Sequence, residues 1–119
     1  MSIEIPAAAH HLLDDPNFAA VATIQPSGQP QLSVIWVKRD GNDVLFSTTV
    51  GRRKQRNLAR DPRCTVMINP PDAPYSYLEV RGTVTMTETD GRALIDELAQ
   101  AYLGIDRYVA DDGTDNVRV

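Results

Sequence analysis

The sequence predicts a mainly β fold, a small barrel of antiparallel strands interrupted by short α-helices. Residues 77–87 alternate apolar and polar side chains with a period of two, and 31–39 (QLSVIWVKR) is rich in β-branched and aromatic residues. Turn signals of the hairpin kind separate such runs, at Pro26-Ser27-Gly28-Gln29-Pro30 and at Asp40-Gly41-Asn42. Helical periodicity is confined to short stretches between them. A chain of 119 residues is expected to form one domain, 1–119, with a core that needs no covalent staple.

The elements follow in order. Pro6 suits the first turn of a short helix carrying Leu12 and Leu13, which Asp15-Pro16 stops. Phe18 to Ile24 reads as a strand, and 31–39 as the next. On that second strand Leu32, Val34 and Trp36 face one way and Ser33, Ile35 and Val37 the other. Both faces are apolar, so both are expected to be covered. Val44 to Thr48 follows the Asp40-Gly41-Asn42 turn, and Ser47-Thr48-Thr49 offers N-cap candidates for a helix over 50–60 with Leu58 inward. Pro62 ends that helix, because it excludes helical geometry from Asp61. Cys64 to Ile68 is a strand, closed by a proline-rich loop over 69–74. On 77–87, Leu78, Val80, Gly82, Val84 and Met86 point one way. Thr87-Glu88-Thr89-Asp90 resembles a capping box before a helix with Leu94, Leu98, Ala101 and Tyr102 on one stripe, stopped by Gly104. An acidic loop spans 110–116, and Val117-Arg118-Val119 reads as the start of a final strand cut off after residue 119.

Composition excludes several classes. A hydrophobic fraction of 42% with 24% charged residues is that of a globular chain rather than a disordered or coiled-coil one. No apolar run approaches the ~18 residues of a membrane span. The start, MSIEIPAAAHHLL, lacks a basic leader and a long apolar stretch, so no signal peptide and a cytoplasmic location are expected. The lone Cys64 forms no internal disulfide and offers no zinc site; it reads as a buried structural thiol. His10 and His11 read as surface residues, and Asp14-Asp15 and Asp111-Asp112 as solvated acids. The net charge of −4 argues against nucleic acid and membrane surfaces. Yet residues 51–63 (GRRKQRNLARDPR) hold six of the twelve basic residues and a single acid, Asp61. That window is strongly cationic on an acidic body, a pattern suited to a small polyanion.

The junction Phe46-Ser47-Thr48-Thr49-Val50-Gly51-Arg52-Arg53-Lys54 concentrates what phosphate needs. It supplies hydroxyls, cations and the free N–H groups of a helix start. Arg52, Arg56 and Arg60 recur on one helical face, which equally describes a solvated basic surface. No nucleophile or acid–base pair stands out, so catalysis would depend on a cofactor. Tyr75 and Tyr77 follow the proline-rich loop, where exposed aromatics mark an interface or a stacking surface.

The order of these pieces (turn P-x-G-x-P, strand Q-L-S-V-I-W, D-G hairpin, strand L-F-S-T-T, then R-R-K-Q-R-N-L-A-R-D-P-R) closely resembles the FMN-binding split β-barrel superfamily of pyridoxamine-phosphate oxidase. Lys54 to Arg63 is similar to the K-x-R-N-L-x-x-D-P-R signature of its actinobacterial deazaflavin-dependent branch, the B type of flavin/deazaflavin oxidoreductases. The resemblance spans about residues 15–119. It implies a homodimer with two cofactor sites at the interface. It implies that Arg52 and Lys54, with Ser47 and Thr48, hold the cofactor phosphate, and that Asn57 of the same signature joins the cofactor contacts. The strand Ser33, Val34, Ile35, Trp36 would line the ring, and Tyr75 and Tyr77 would reach the other subunit's cofactor.

FMN and the deazaflavin coenzyme F-420 both present a phosphate and a tricyclic ring. F-420 also carries a polyglutamate tail, which the excess basic charge over 52–63 suits, and the K-x-R-N-L match points the same way. The expectation is an oxidoreductase that passes a hydride from reduced F-420 to an unsaturated organic acceptor. The alternatives are an FMN-dependent oxidoreductase of the same fold, and a coenzyme-binding protein without turnover.

Overall fold

The computed structural model describes residues 4–119; the first three residues of the segment read above for a leader lie outside them. A 3₁₀ turn over Ala7–Ala9 runs into α1 (His10–Asp14). Then come β1 (Ala19–Ile24), β2 (Pro30–Ile35), β3 (Lys38–Asp40) and β4 (Asp43–Leu45). α2 (Arg53–Arg60), β5 (Arg63–Ile68), β6 (Leu78–Thr83) and α3 (Gly91–Leu103) complete the order. Four strands make an antiparallel sheet in the order β2-β1-β5-β6, and β3 pairs with β4 in a separate hairpin. The mainly antiparallel architecture with three short helices is the expected one.

Alternation along the strands decides what lies inside. Ala19, Val21 and Thr23 of β1 face inward with Ile35 of β2 and Cys64, Val66 and Ile68 of β5. Leu12 and Leu13 of α1 and Leu58 of α2 close over this cluster. Each fully buried aliphatic side chain here contributes ~1.5–3 kcal/mol relative to exposure. α2 is also pinned by polar contacts: the Asn57 Nδ2 donates to Thr23 Oγ1 at 3.1 Å, and Thr23 Oγ1 donates to Gln31 Oε1 at 3.0 Å.

Several local expectations are corrected. The run 31–39 is two strands rather than one, broken at Trp36 and Val37. Its Leu32–Val34 face is open rather than covered by this chain, with Leu32 at 71% and Val34 at 69% exposure. Neither Ser47-Thr48-Thr49 nor Thr87–Asp90 caps a helix: Arg52 and Asp90 occupy the N-cap positions without a side-chain cap, and Thr87 Oγ1 instead accepts from the Thr89 N–H at 3.1 Å. The buried stripe of α3 is Ile95, Leu98 and Ala99, with Ala101 outside. The segment 117–119 has a partner: Thr48 and Val119 exchange backbone hydrogen bonds of 3.1 and 2.9 Å, and the Val50 N–H donates to the Val117 carbonyl at 2.9 Å.

The break at Trp36 has a tertiary cause. Trp36 stacks on Tyr102 of α3 at 5.3 Å between centroids and meets Tyr108 edge-on at 6.0 Å. The Val37 N–H donates to Tyr102 Oη at 3.0 Å instead of to a strand neighbour, and that hydroxyl donates to the Asn17 carbonyl at 2.6 Å. One phenol thus ties α3 to the chain entering β1 and to the joint between β2 and β3. Tyr102→Phe strands the Val37 donor and the Asn17 acceptor, so it should lower unfolding free energy in urea by ~1–3 kcal/mol. Tyr75→Phe, at a side chain 95% exposed, should leave the urea midpoint unmoved. Equal midpoints for both variants and the parent would refute this role for the Tyr102 hydroxyl.

Candidate functional site

After β4, residues 46–52 lead into α2 through Gly51, whose φ of 94° is a left-handed conformation that side chains rarely adopt. Arg52 then extends at the N-cap, and Gln55 reaches back so that its Oε1 accepts from the Gly51 N–H, one residue before the cap, at 3.0 Å. With no side-chain cap, the first turn of α2 presents its backbone donors and positive dipole end.

A cleft of about 190 Å³ opens beside this helix start. One wall is the end of β2, with Val34, Ile35 and Trp36, extended by Phe18. Ser47, Arg52 and Lys54 make the polar side. Ile95 and Leu98 of α3, with Tyr108 and Arg118, complete the lining. The Arg118 guanidinium lies 4.7 Å over the Tyr108 ring, and its Nη1 is 3.5 Å from Ser47 Oγ.

Charge in the cleft is unbalanced. Among the described residues neither Arg52 nor Lys54 is paired with a carboxylate. Burial, and after it the charges of Arg52 and Arg118, push the Lys54 ammonium below the ordinary lysine value. Like charges thus meet beside a half-buried ammonium, at a cost to Lys54. A second cleft, of about 370 Å³ and lined by Ala22, Thr65, Arg63 and Arg81 among others, is different. There Arg63 is paired with Asp61 and Arg81 with Glu79, so its cations are already satisfied.

Six of the residues singled out in the sequence therefore meet: Val34, Ile35, Trp36, Ser47, Arg52 and Lys54. Five do not line the cleft. Asn57, expected among the cofactor contacts, is fully buried on the inward side of α2, where it binds Thr23. Ser33 shares the inward face of β2 with Ile35, and its buried Oγ has no partner. Thr48 is 3% exposed, with its backbone committed to Val119. Tyr75 and Tyr77 point to solvent from the loop before β6.

The sequence reading missed Arg118, Tyr108 and Phe18, which lie far from the basic window and carry no local motif. Asp111, expected as a solvated loop acid, is buried. Its carboxylate accepts from Arg118 Nε at 2.6 Å and Nη2 at 3.1 Å, and from Asn116 Nδ2 at 3.1 Å. Cys64 is a buried thiol whose pKa burial raises, as expected of an inert one. Among the described residues no cluster of His, Cys, Asp and Glu could hold a metal ion, and no helix is long and apolar enough to cross a membrane.

This arrangement, a mainly antiparallel barrel with a cationic cleft where strand gives way to helix, defines a split β-barrel of the pyridoxamine-phosphate oxidase kind. Residues 5–116 match the family model described as pyridoxamine 5'-phosphate oxidase, and the chain belongs to that family. It is 30% identical over 82 residues to the pyridoxine/pyridoxamine 5'-phosphate oxidase of Rhodopseudomonas palustris (strain TIE-1), covering 67% of this chain but 38% of that one. The chain thus spans well under half the length of such curated relatives. Among solved structures it is similar to an F-420 reductase, with a TM-score of 0.82 and 33% identity over 96% of this chain and 91% of that one. A heme-binding protein from Mycobacterium smegmatis shares the fold, with a TM-score of 0.62 at 23% identity, over 98% of this chain and 51% of that one.

The Asp111–Arg118 contact sets an acid limit. Hydrogen bonding to Arg118 holds the Asp111 carboxyl down at about 2, below the 3.8 of a free aspartate. A depressed folded-state value stabilises the fold above pH ~4, and that stabilisation is lost as pH falls toward 2. Asp111→Asn should lower the melting temperature at pH 7 and show a shallower fall between pH 4 and 2 than the parent. Parallel acid profiles would contradict it.

Proposed function

We propose that the cleft binds coenzyme F-420 and that the protein is an F-420-dependent oxidoreductase acting on an unsaturated organic acceptor. The observation that carries this reading is the unpaired charge of Arg52 and Lys54 beside Ser47 at an uncapped helix start, set against the apolar wall of Val34, Ile35 and Trp36. A phosphate ester attached to a flat ring needs both. Arg52, Lys54 and Ser47 would hold the phosphate, and the end of β2 would carry the ring. The coenzyme, once bound, supplies the hydride. The likeness to an F-420 reductase along nearly the whole of both chains favours this coenzyme over FMN, which remains the second reading through the curated oxidases. Arg53 and Arg56, exposed on α2, suit the anionic tail that distinguishes F-420.

The protein also works as a homodimer in this proposal. Leu32 and Val34 of β2, Phe18, and Met67 of β5 leave an apolar band open on the sheet, where Val34 and Met67 flank Ala20 in register. Val34 and Phe18 belong to this band and to the cleft alike, so a second copy seated on it would cover one side of the site. An obligate two-fold interface of this kind buries on the order of 2,000 Å² or more. Sedimentation should find a dimer at micromolar concentration; a stable monomer would sink this proposal.

Fluorescence titration with F-420 and with FMN tests the coenzyme, and F-420 should bind the tighter. Lys54→Ala should weaken F-420 binding by ~1.5–3 kcal/mol, about ten- to a hundredfold. Arg60→Ala should matter much less, because Arg60 lies outside the cleft and donates to the Ile24 carbonyl. An anion favours the protonated ammonium, so affinity should be full at neutral pH and fall as pH rises through the lowered Lys54 value. Lys54→Arg should abolish that alkaline fall, since arginine stays charged. Equal losses for Lys54→Ala and Arg60→Ala would reduce the helix to a diffuse basic field. Tighter binding of FMN would turn the reading to the second coenzyme.

A further inference from the structure

We propose that Arg118, held in place by Asp111, is a third phosphate-gripping side chain of the cleft. The inference rests on the reading of the cleft as the site of a phosphorylated cofactor, and it makes the C-terminal segment part of that site.

The geometry of Arg118 is that of a prepared binding group. Its side chain is 5% exposed and that of Asp111 7% exposed. Asp111 takes the Nε and Nη2 edge of the guanidinium in a two-point contact, which fixes the plane of the fork. The Tyr108 ring covers one face. What remains is Nη1, whose partner is Ser47 Oγ of the cleft lining at 3.5 Å, the long end of hydrogen-bond range. The carboxylate takes two of the three guanidinium nitrogens, and the third is left with only the long contact to a residue that lines the cleft.

The backbone is equally fixed. Residues 117–119 pair with Thr48 and Val50, so the register that places Ser47 also places Arg118. On the other side a Cβ at Gly91 would meet the Arg118 carbonyl oxygen at 2.2 Å, so the start of α3 abuts the strand so closely that only glycine fits.

Charge points the same way. Arg52, Lys54 and Arg118 line one cleft, and Asp111 is the carboxylate paired with any of them. Asp111 is further shared with Arg92, whose Nη1 lies 3.2 Å away, while Arg92 also approaches Asp96 at 3.7 Å. The cleft thus keeps an excess of positive charge even after its internal ion pair is counted. A phosphate ester would neutralise that excess and offer Nη1 a stronger, charged acceptor than the Ser47 hydroxyl.

The test compares ligands with and without the phosphate. The parent protein, Arg118→Gln, Arg118→Lys and Asp111→Asn are titrated with F-420, FMN and riboflavin by fluorescence, and with inorganic phosphate by thermal shift. Arg118→Gln should weaken F-420 or FMN binding about tenfold or more while riboflavin changes by less than about twofold. Arg118→Lys should recover part of the loss, because it keeps the charge without the fork. Asp111→Asn should give a smaller loss with the same dependence on phosphate, as befits a positioning residue. A role confined to the fold would lower riboflavin and FMN affinity alike, and that result would overturn the proposal; so would unchanged F-420 and FMN affinity in Arg118→Gln. If Arg118→Gln does not fold, Arg118→Lys carries the same comparison, with a severalfold loss expected for the phosphorylated ligands only. If the parent binds neither coenzyme yet inorganic phosphate stabilises it and not Arg118→Gln, the phosphate role of Arg118 stands and the coenzyme assignment falls. Coenzyme binding that is indifferent to Arg118 leaves the assignment and removes the role.

Discussion

The hydroxyl of Tyr102 is the point on which the architecture turns. It accepts from the Val37 N–H and donates to the Asn17 carbonyl, so three segments distant in sequence share one oxygen. That bond takes Val37 out of any ladder, and the Trp36–Tyr102 stack beside it holds the chain where β2 ends. At this interruption Val34, Ile35 and Trp36 line the same cleft as Arg52 and Lys54 at the start of α2. The same aromatic group extends through Tyr108 to Arg118, so packing and the charged side of the site form one continuous structure.

Against that wall the chain assembles a charge arrangement that works against its own stability. Lys54 is lowered by burial and by Arg52 and Arg118, a penalty that no carboxylate among the described residues relieves. Proteins commonly hold such unfavourable charge at functional sites, where a ligand makes up the deficit. The larger cleft near Arg63 and Arg81 shows the contrast within the same molecule, because its arginines are neutralised by close neighbours. Size alone would select that cleft, whereas unpaired charge selects the other.

The parts legible in the sequence are those fixed by local chemistry. The basic window before α2, the alternation of β5 and β6, the turns at 26–30 and 40–42, and Gly104 as the stop of α3 all depend on neighbours along the chain. What escaped depends on partners far away. Trp36 breaks its strand because of a helix some sixty-five residues later, which no periodicity in 31–39 could announce. Asp111 reads as one more acid in an acidic loop until Arg118 folds back onto it. Asn57 sits in the motif that pointed to the cofactor, yet its position on α2 turns it into the core toward Thr23. Ser47 and Thr48 are adjacent and chemically alike, yet beyond the end of β4 one lines the cleft and the other is buried. A motif brings the right segment to the site; the pleat and the helical turn decide which of its side chains arrive.

The central claim is that an anion completes the cationic side of this cleft, and the position of a bound phosphate tests it most directly. A crystal structure of the protein with F-420 should place the phosphate within hydrogen-bonding distance of Lys54 Nζ and Ser47 Oγ, with the ring along Val34 to Trp36. A phosphate found instead on the exposed arginines of α2, or beside Arg63 and Arg81, would contradict the account.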